Sequence, residues 1–427
     1  MTKPFNLLWK HFLEDNLFRN SIYLMLTTGT MGGFGFFFWL VCTHIFTPSQ
    51  IGVSTTLISA MTLISFVSLF GFNSTFVRFL PSSQNRNKEI NTGSIIVMGA
   101  AALISIAYII LIPYITPSLG IIRENVWYSI GFVIMVTFAA ANSLSDSIFI
   151  AYRAAQYNFL TDGIIISVAK LLLPFVFIGV GAYGIFAASG LAVSIGMLVS
   201  FTLLYIKFGY RPEIRIDKEI LQKVLHYSFT NYLANLFSIV PTSILPIIII
   251  GRLGADAAGY FYLAFMIINL LYTVSASVSQ SLFAEGSYSE KSIRDLIKGS
   301  LKIMVFLMLP AGLILAFFGP DILRFFGKSY SSGGSEVIAL LALAAPAVAA
   351  FNIGSVLLRI RHQMYALVIT NVVYAGVVAF LAVFWANKGL SWIAIAWLVG
   401  NLVAAIIAFV YIFLYRNRPT PGLPVNS

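Results

Sequence analysis

Apolar residues in this chain come in long unbroken runs, without the alternation of a half-buried strand or the narrow stripe of a soluble helix. Twelve runs stand out, at about residues 20–46, 53–77, 93–115, 127–151, 163–181, 184–206, 230–250, 258–282, 301–318, 336–358, 366–385 and 392–414. Each is near the roughly 20 residues that a helix needs to cross a hydrocarbon core. Barrel strands would be shorter and would alternate, so the pattern predicts transmembrane helices. The boundary between the fifth and sixth runs rests on a few residues around Gly181 and Gly184. The stretch they divide is too long for one span and is read as two. Ahead of the first run, Phe5, Leu8, Trp9 and Phe12 recur at helical spacing beside Lys10, Glu14 and Asp15, which predicts a helix lying on the membrane surface.

Composition narrows the class further. The 427 residues are 59% hydrophobic and 10% charged, against roughly 45–50% and 25% in a soluble domain. The single cysteine, Cys42, excludes an intrachain disulfide and a cysteine-rich metal site. No cofactor or metal is expected. The net charge of +11 raises the question of a nucleic-acid partner, and the placement of the basic residues answers it. With the N-terminus inside, 20 of the 26 lysines and arginines fall in inner segments, five fall outside and Lys170 lies within a span. That asymmetry predicts cytoplasmic termini, with short basic loops facing an anionic leaflet and no nucleic acid.

The chain also matches itself weakly at an offset of 207 residues. Ser21 falls on Ser228, Gly52 on Gly259, Ser68 on Ser275, Asn73 on Gln280 and Arg78 on Glu285, without a gap through two spans. An even number of spans per repeat gives both halves the same orientation, related by an axis along the membrane normal. The expected fold is therefore an all-α polytopic membrane protein with twelve helices in two six-helix bundles. A surface helix spans 1–19, the first lobe 20–206, a linker with an amphipathic helix 207–229, the second lobe 230–414 and a tail 415–427. Substrate is expected to cross between the lobes by alternating access.

Several short segments carry a resemblance. They are the Gly-rich first span Thr27-Thr28-Gly29-Thr30-Met31-Gly32-Gly33, Pro48-Ser49-Gln50-Ile51-Gly52 at the first outer turn, Arg78-Phe79-Leu80-Pro81 closing the second span, and Gly251-Arg252-Leu253-Gly254 through Gly259-Tyr260. With twelve spans in two halves, the chain resembles the polysaccharide flippases of the MOP superfamily, the Wzx-type O-antigen and capsule repeat-unit transporters. The resemblance implies movement of an undecaprenyl-diphosphate-linked oligosaccharide from the inner to the outer leaflet of a bacterial cytoplasmic membrane, with membrane lipids and a polysaccharide polymerase as candidate partners. A diphosphate-sugar head cannot cross hydrocarbon without heavy loss of hydration, so a wet cationic cavity is expected. The inside-negative potential assists outward anion movement by about 2.3 kcal/mol per charge per 100 mV. A coupling ion, H+ or Na+, is allowed and not demanded.

Candidate substrate contacts follow. Lys170, eight residues into the fifth run, is a charge in a segment otherwise nearly free of charge, and Asp146 precedes Arg153 at the end of the fourth. On these spans the two groups lie at similar depth and can meet. Two readings stay open: a structural ion pair, or a phosphate-binding lysine held or gated by the aspartate. Arg78, with Asn73 just inside its span, and the pair Arg359 and Arg361 beside His362 are candidates for a diphosphate entering from the inner leaflet, and equally ordinary positive-inside anchors. Asn269, Thr273, Ser277 and Gln280 form a polar stripe in the eighth span, and Thr55, Ser59 and Thr62 in the second. Such stripes line a wet path or bond helix to helix. A membrane polymerase or glycosyltransferase is disfavoured by the short outer connections and the absence of an Asp-x-Asp sequence, so no catalytic residue is expected. A cation or drug exporter would need membrane-embedded carboxylates, of which these spans contain only Asp146.

Overall fold

The computed structural model describes residues 16–288 and 293–415, so the expected surface helix over residues 1–15 and the tail beyond residue 415 lie outside the described residues. Among the described residues the structure is helical, in the order α1 (Asn16–Ile45), α2 (Pro48–Ser68), α3 (Phe72–Phe79), α4 (Arg86–Ile115), α5 (Val126–Ala151), α6 (Gln156–Val176), α7 (Gly181–Phe208), α8 (Lys218–Leu253), α9 (Ala255–Tyr288), α10 (Ile293–Arg324), α11 (Lys328–Leu343), α12 (Ala345–Ile360), α13 (Met364–Trp385) and α14 (Leu390–Leu414). Eleven helices among the described residues are long and apolar enough to cross a membrane, and α11 with α12, bent by 44°, makes a twelfth when the pair is taken as one broken span. The chain divides into two compact units at Tyr232/Leu233, inside α8.

Local chemistry explains where the helices start and stop. At the head of α2, Thr47 and Gln50 form a reciprocal capping box, with the Gln50 N–H donating to Thr47 Oγ1 at 3.3 Å and the Thr47 N–H to Gln50 Oε1 at 3.0 Å. Pro48 in the first turn supplies a fixed φ where no N–H is needed. The repeat counterpart α9 begins 207 positions later, at Ala255. Between α6 and α7, a 3-10 turn over Ile178–Val180 ends at Gly181 with φ +64, so the two runs are separate helices as their length required. The bend at Ala344 precedes Pro346, which removes one helical donor early in α12.

Two boundaries differ from the sequence reading. The second run, expected to be one span over 53–77, breaks at Phe70 and Gly71, whose φ values are +46 and +89. The short α3 then packs Phe72 and Phe76, both fully buried, against α4 at Gly93. In the second half α9 runs through the corresponding positions without a break. The fifth span begins at Gln156 instead of 163 and passes through a π-helical stretch over Phe159–Ile166 before resuming as α-helix. This earlier start changes the depth of every polar residue on α6.

The connection after α7 is docked and does not hang free. Asn87 and Asn91, on the first turns of α4, both donate to the Arg211 carbonyl at 2.9 Å. The Arg211 N–H returns to Asn87 Oδ1 at 2.8 Å, the Glu213 N–H to Asn91 Oδ1 at 3.0 Å and the Asp217 N–H to Thr92 Oγ1 at 3.1 Å. Extended backbone with unsatisfied polar groups is thereby held by side chains of the first unit.

Candidate functional site

Lys170 stands on the α-helical part of α6, after the π stretch. At about 1.5 Å per residue it lies about 21 Å from the start of α6, whereas Asp146 lies only about 8 Å from the end of α5. The proposed Asp146–Lys170 pair is therefore not formed, because the early start of α6 carries the lysine past the aspartate. The ammonium turns toward α1, with Nζ 4.8 Å from the centre of the fully buried Phe38 ring and Cys42 beside it. A cation over an aromatic face gains electrostatic attraction without being neutralised. Among the described residues no carboxylate forms an ion pair with Lys170.

Asp146 meets a different partner, Asp162, and their carboxyls are hydrogen-bonded. Asn142 Nδ2 also donates to Asp162 Oδ1 at 3.1 Å. Asp162 escaped the sequence reading because it fell one residue before the expected fifth span. The signal that finds it is a repeated spacing, Asn142-x-x-x-Asp146 and Asn158-x-x-x-Asp162, on consecutive helices.

The other candidates are dispersed. Arg78 is exposed at the end of α3, its guanidinium 5.5 Å from the Phe79 ring centre, and Asn73 Oδ1 accepts from the Ser74 N–H at the head of the same helix. Arg153 is exposed in the turn after α5, with φ +54. Arg359 donates to Asn235 Oδ1 at 3.3 Å, and Arg361 donates to the Ile412 carbonyl at 2.8 Å. Arg361 thus ties α12 to α14 inside the second unit.

The two polar stripes differ, although Thr62 of the first is exposed and donates to the Ile58 carbonyl at 2.9 Å. Thr55 and Ser59 on α2 are buried, and their hydroxyls donate to the Gly52 and Thr55 carbonyls of their own helix, so they serve packing. Asn269, Thr273, Ser277 and Gln280 on α9 are all exposed. Asn269 and Thr273 border a recess of about 290 Å³ in the second unit, together with Asn352 and Asn401 and the aromatic rings of Tyr374 and Trp397. A larger recess, of about 760 Å³, lies at the end of the first unit that carries Arg86 and Lys88, with Tyr152 and Tyr210 in its wall. Burial pushes the Tyr152 hydroxyl above its ordinary pKa, an effect that the nearby Arg86 guanidinium opposes.

Comparison with known proteins agrees with this architecture. No curated protein matches the sequence significantly. Among solved structures, the fold is similar to an inward-facing multidrug resistance MATE family transporter of the MOP superfamily, with TM-score 0.70 and 14% identity over 94% of this chain and 100% of that one. It is also similar to an outward-facing MATE transporter, with TM-score 0.63 and 17% identity over 95% and 97% of the two chains. A third match is a MOP superfamily transporter from Pyrococcus furiosus Vc1, described as having a binding pocket of reversed polarity, with TM-score 0.60 and 16% identity over 93% and 95%. At these identities the likeness establishes the fold. The model of the polysaccharide biosynthesis protein family matches residues 17–283, more than half of the sequence. The chain therefore belongs to the polysaccharide biosynthesis protein family, with the membrane-transporter fold of the MOP superfamily.

Proposed function

We propose that this protein flips an undecaprenyl-diphosphate-linked oligosaccharide repeat unit from the inner to the outer leaflet of a bacterial cytoplasmic membrane by alternating access, with both termini in the cytoplasm. The observation that carries the reading is Lys170, an ammonium kept inside the first bundle and turned toward Phe38, with no carboxylate pairing it among the described residues. A charge retained at membrane depth is usually functional, and an unneutralised ammonium is a point charge suited to phosphate oxygens. Family membership supports a polysaccharide precursor as cargo. The excess of basic residues on the terminal side supports the orientation. A polymerase consuming the delivered repeat unit is the expected partner.

The test is the fate of lipid-linked repeat units. Deletion is expected to leave them accumulated on the inner leaflet, with wild type restoring export and Lys170→Met failing to do so. Normal export in the deletion strain, or full activity of Lys170→Met, overturns the reading.

A second reading, export of a cationic compound, is favoured by one observation. The buried Asp146–Asp162 pair supplies the embedded carboxylates that such an exporter needs. Loss of resistance to cationic compounds in Asp146→Asn and Asp162→Asn, without accumulation of lipid-linked sugars, would establish it in place of the first.

A further inference from the structure

The recess of about 290 Å³ in the second unit is walled by amides, hydroxyls and aromatic rings, with no charged residue among them. Asn269 and Thr273 come from α9, Asn352 from α12, Tyr374 from α13, and Trp397 and Asn401 from α14. At about 1.5 Å per residue, Asn269 lies about 21 Å along α9 and Asn401 about 16 Å along α14, well inside the spans. Polar side chains at that depth face a bundle interior or a water-filled cavity. Thr242, Asn269 and Thr273 are exposed at the edge of the recess, so it is open, and what it opens to is water.

The wall has donors and acceptors to spare. The hydroxyls of Ser238, Thr242 and Thr273 donate to the Asn235, Ile239 and Asn269 carbonyls at 2.7, 2.8 and 2.8 Å, which leaves their oxygen lone pairs to accept from a ligand. Trp397, 4% exposed, has a buried indole N–H with no hydrogen-bond partner, although a buried polar group is normally paired. The Asn269 amide makes no hydrogen bond among the described residues. The indole is held edge-on by Phe265 at 5.0 Å and Tyr374 at 5.9 Å. Such a wall needs an uncharged guest that donates and accepts at short spacing and has an apolar face. A cation would find no carboxylate, a phosphate no basic partner, and a prenyl chain would leave the amides unsatisfied. A sugar ring has hydroxyls for the polar groups and a C–H face for the aromatic ones. The volume lies just under the roughly 300–1,000 Å³ of drug-sized ligand sites, which suits one ring and not a repeat unit.

We propose that this recess is a sugar-ring subsite that takes one neutral hexopyranose. Trp397 Nε1 and the Asn269 amide donate to its oxygens, and the Ser238, Thr242 and Thr273 hydroxyls accept from its O–H groups. Recognition of an uncharged ring is separate from handling of the diphosphate, for which the recess has no cation. That the ring arrives as part of the cargo rests on the flippase reading. That the recess binds a ring does not.

The experiment is saturation-transfer NMR on the purified full-length protein in lipid nanodiscs, which avoids sugar-based detergents. The probes are the methyl glycosides of glucose, galactose, mannose, N-acetylglucosamine and N-acetylgalactosamine, with pyrophosphate and tetraphenylphosphonium as comparisons. Saturable binding of at least one glycoside is expected, without competition from either ion. Asn269→Ala and Trp397→Phe are each expected to weaken it by about fivefold or more, the loss of one hydrogen bond. The Tm of each variant reports whether it folds, and the wild-type comparison stands even where a variant does not. No glycoside binding in wild type, unchanged affinity in a folded variant, or displacement of the glycoside by pyrophosphate or tetraphenylphosphonium overturns the subsite. No lipid-linked cargo is present in this titration. Glycoside binding by a protein whose deletion leaves export normal removes the flippase reading and keeps the recess. Absent binding by a protein whose deletion blocks export removes the recess alone.

Discussion

The Tyr210 hydroxyl donates to Asn91 Oδ1 at 2.7 Å, fastening the connection that leaves α7 to the first turns of α4. Asn91 is nearly fully buried, and through its two side-chain atoms it serves Tyr210, the Glu213 N–H and the Arg211 carbonyl together. Net hydrogen-bond contributions run at about 0.5–1.5 kcal/mol each. Tyr210→Phe is therefore expected to cost about 1 kcal/mol and Asn91→Ala about 2 kcal/mol or more, since the alanine leaves both the Tyr210 hydroxyl and the Glu213 N–H without their acceptor, while Asn87 still serves the Arg211 carbonyl. Limited proteolysis in the 211–217 segment and thermal unfolding in detergent check both. Equal effects of the two variants would mean that the linker is not held through Asn91.

The same contact has a pH dependence. Burial raises the Tyr210 hydroxyl above its ordinary value of 10.0, so the folded state holds this proton more tightly than the unfolded state. The contribution is whole below the ordinary value and is lost as pH rises through the raised one, because the ionised oxygen can no longer donate to Asn91. Thermal stability of the wild type is expected to fall faster than that of Tyr210→Phe as pH passes about 10. Parallel profiles would refute the assignment.

A Cβ on Gly93 would stand 2.5 Å from one ring carbon of Phe76 and 2.9 Å from the Phe72 ring. Gly93→Ala is therefore expected to push α3 outward and to destabilise by about 1–3 kcal/mol, the range for overpacking. Phe76→Ala creates a cavity of its own, and the double variant is expected to lose less than the sum of the two singles. Additive losses in thermal unfolding would show that α3 does not seat against α4 in this way.

The twelve spans were legible because long apolar runs have one physical meaning in a chain this hydrophobic, and Gly181 marked its boundary by chemistry visible in sequence. The break at Phe70 and Gly71 was not, because the residues around it are as apolar as a helix interior and only the positive φ values reveal the turn. The depth of Lys170 was misread for a related reason. Asn158, Thr161 and Asp162 look like a polar loop, yet they are buried, their polarity spent toward the neighbouring helices. Hydropathy counts what a residue is and not which neighbour it faces, so the polar first turns of α6 were assigned to solvent and Asp162 was missed.

Arg361 illustrates how a basic residue near a span end serves packing. Its Nη1 donates to the Ile412 carbonyl at 2.8 Å, near the end of α14, where cations complement unsatisfied carbonyls. Arg361→Gln is expected to cost about 1–2 kcal/mol of stability, with transport per folded molecule close to wild type. A loss of transport without a change in Tm would instead give Arg361 a role in handling the cargo.

Lys170 and Asp146 are the sharpest test of the site. Two residues forming one ion pair compensate when both are neutralised, since the cost of an uncompensated buried charge disappears. Here the lysine faces Phe38 and the aspartate faces Asp162, so no compensation is expected. A charge-assisted hydrogen bond to phosphate contributes about 1.5–3 kcal/mol, which corresponds to a loss of about 10–100-fold in transport for Lys170→Met. Lys170→Arg keeps the charge and is expected to retain more activity than the methionine variant. Lys170→Met/Asp146→Asn is expected to transport no better than Lys170→Met alone, measured as flipping of a lipid-linked oligosaccharide in proteoliposomes. Recovery in the double variant would restore the ion pair and remove the phosphate role from Lys170.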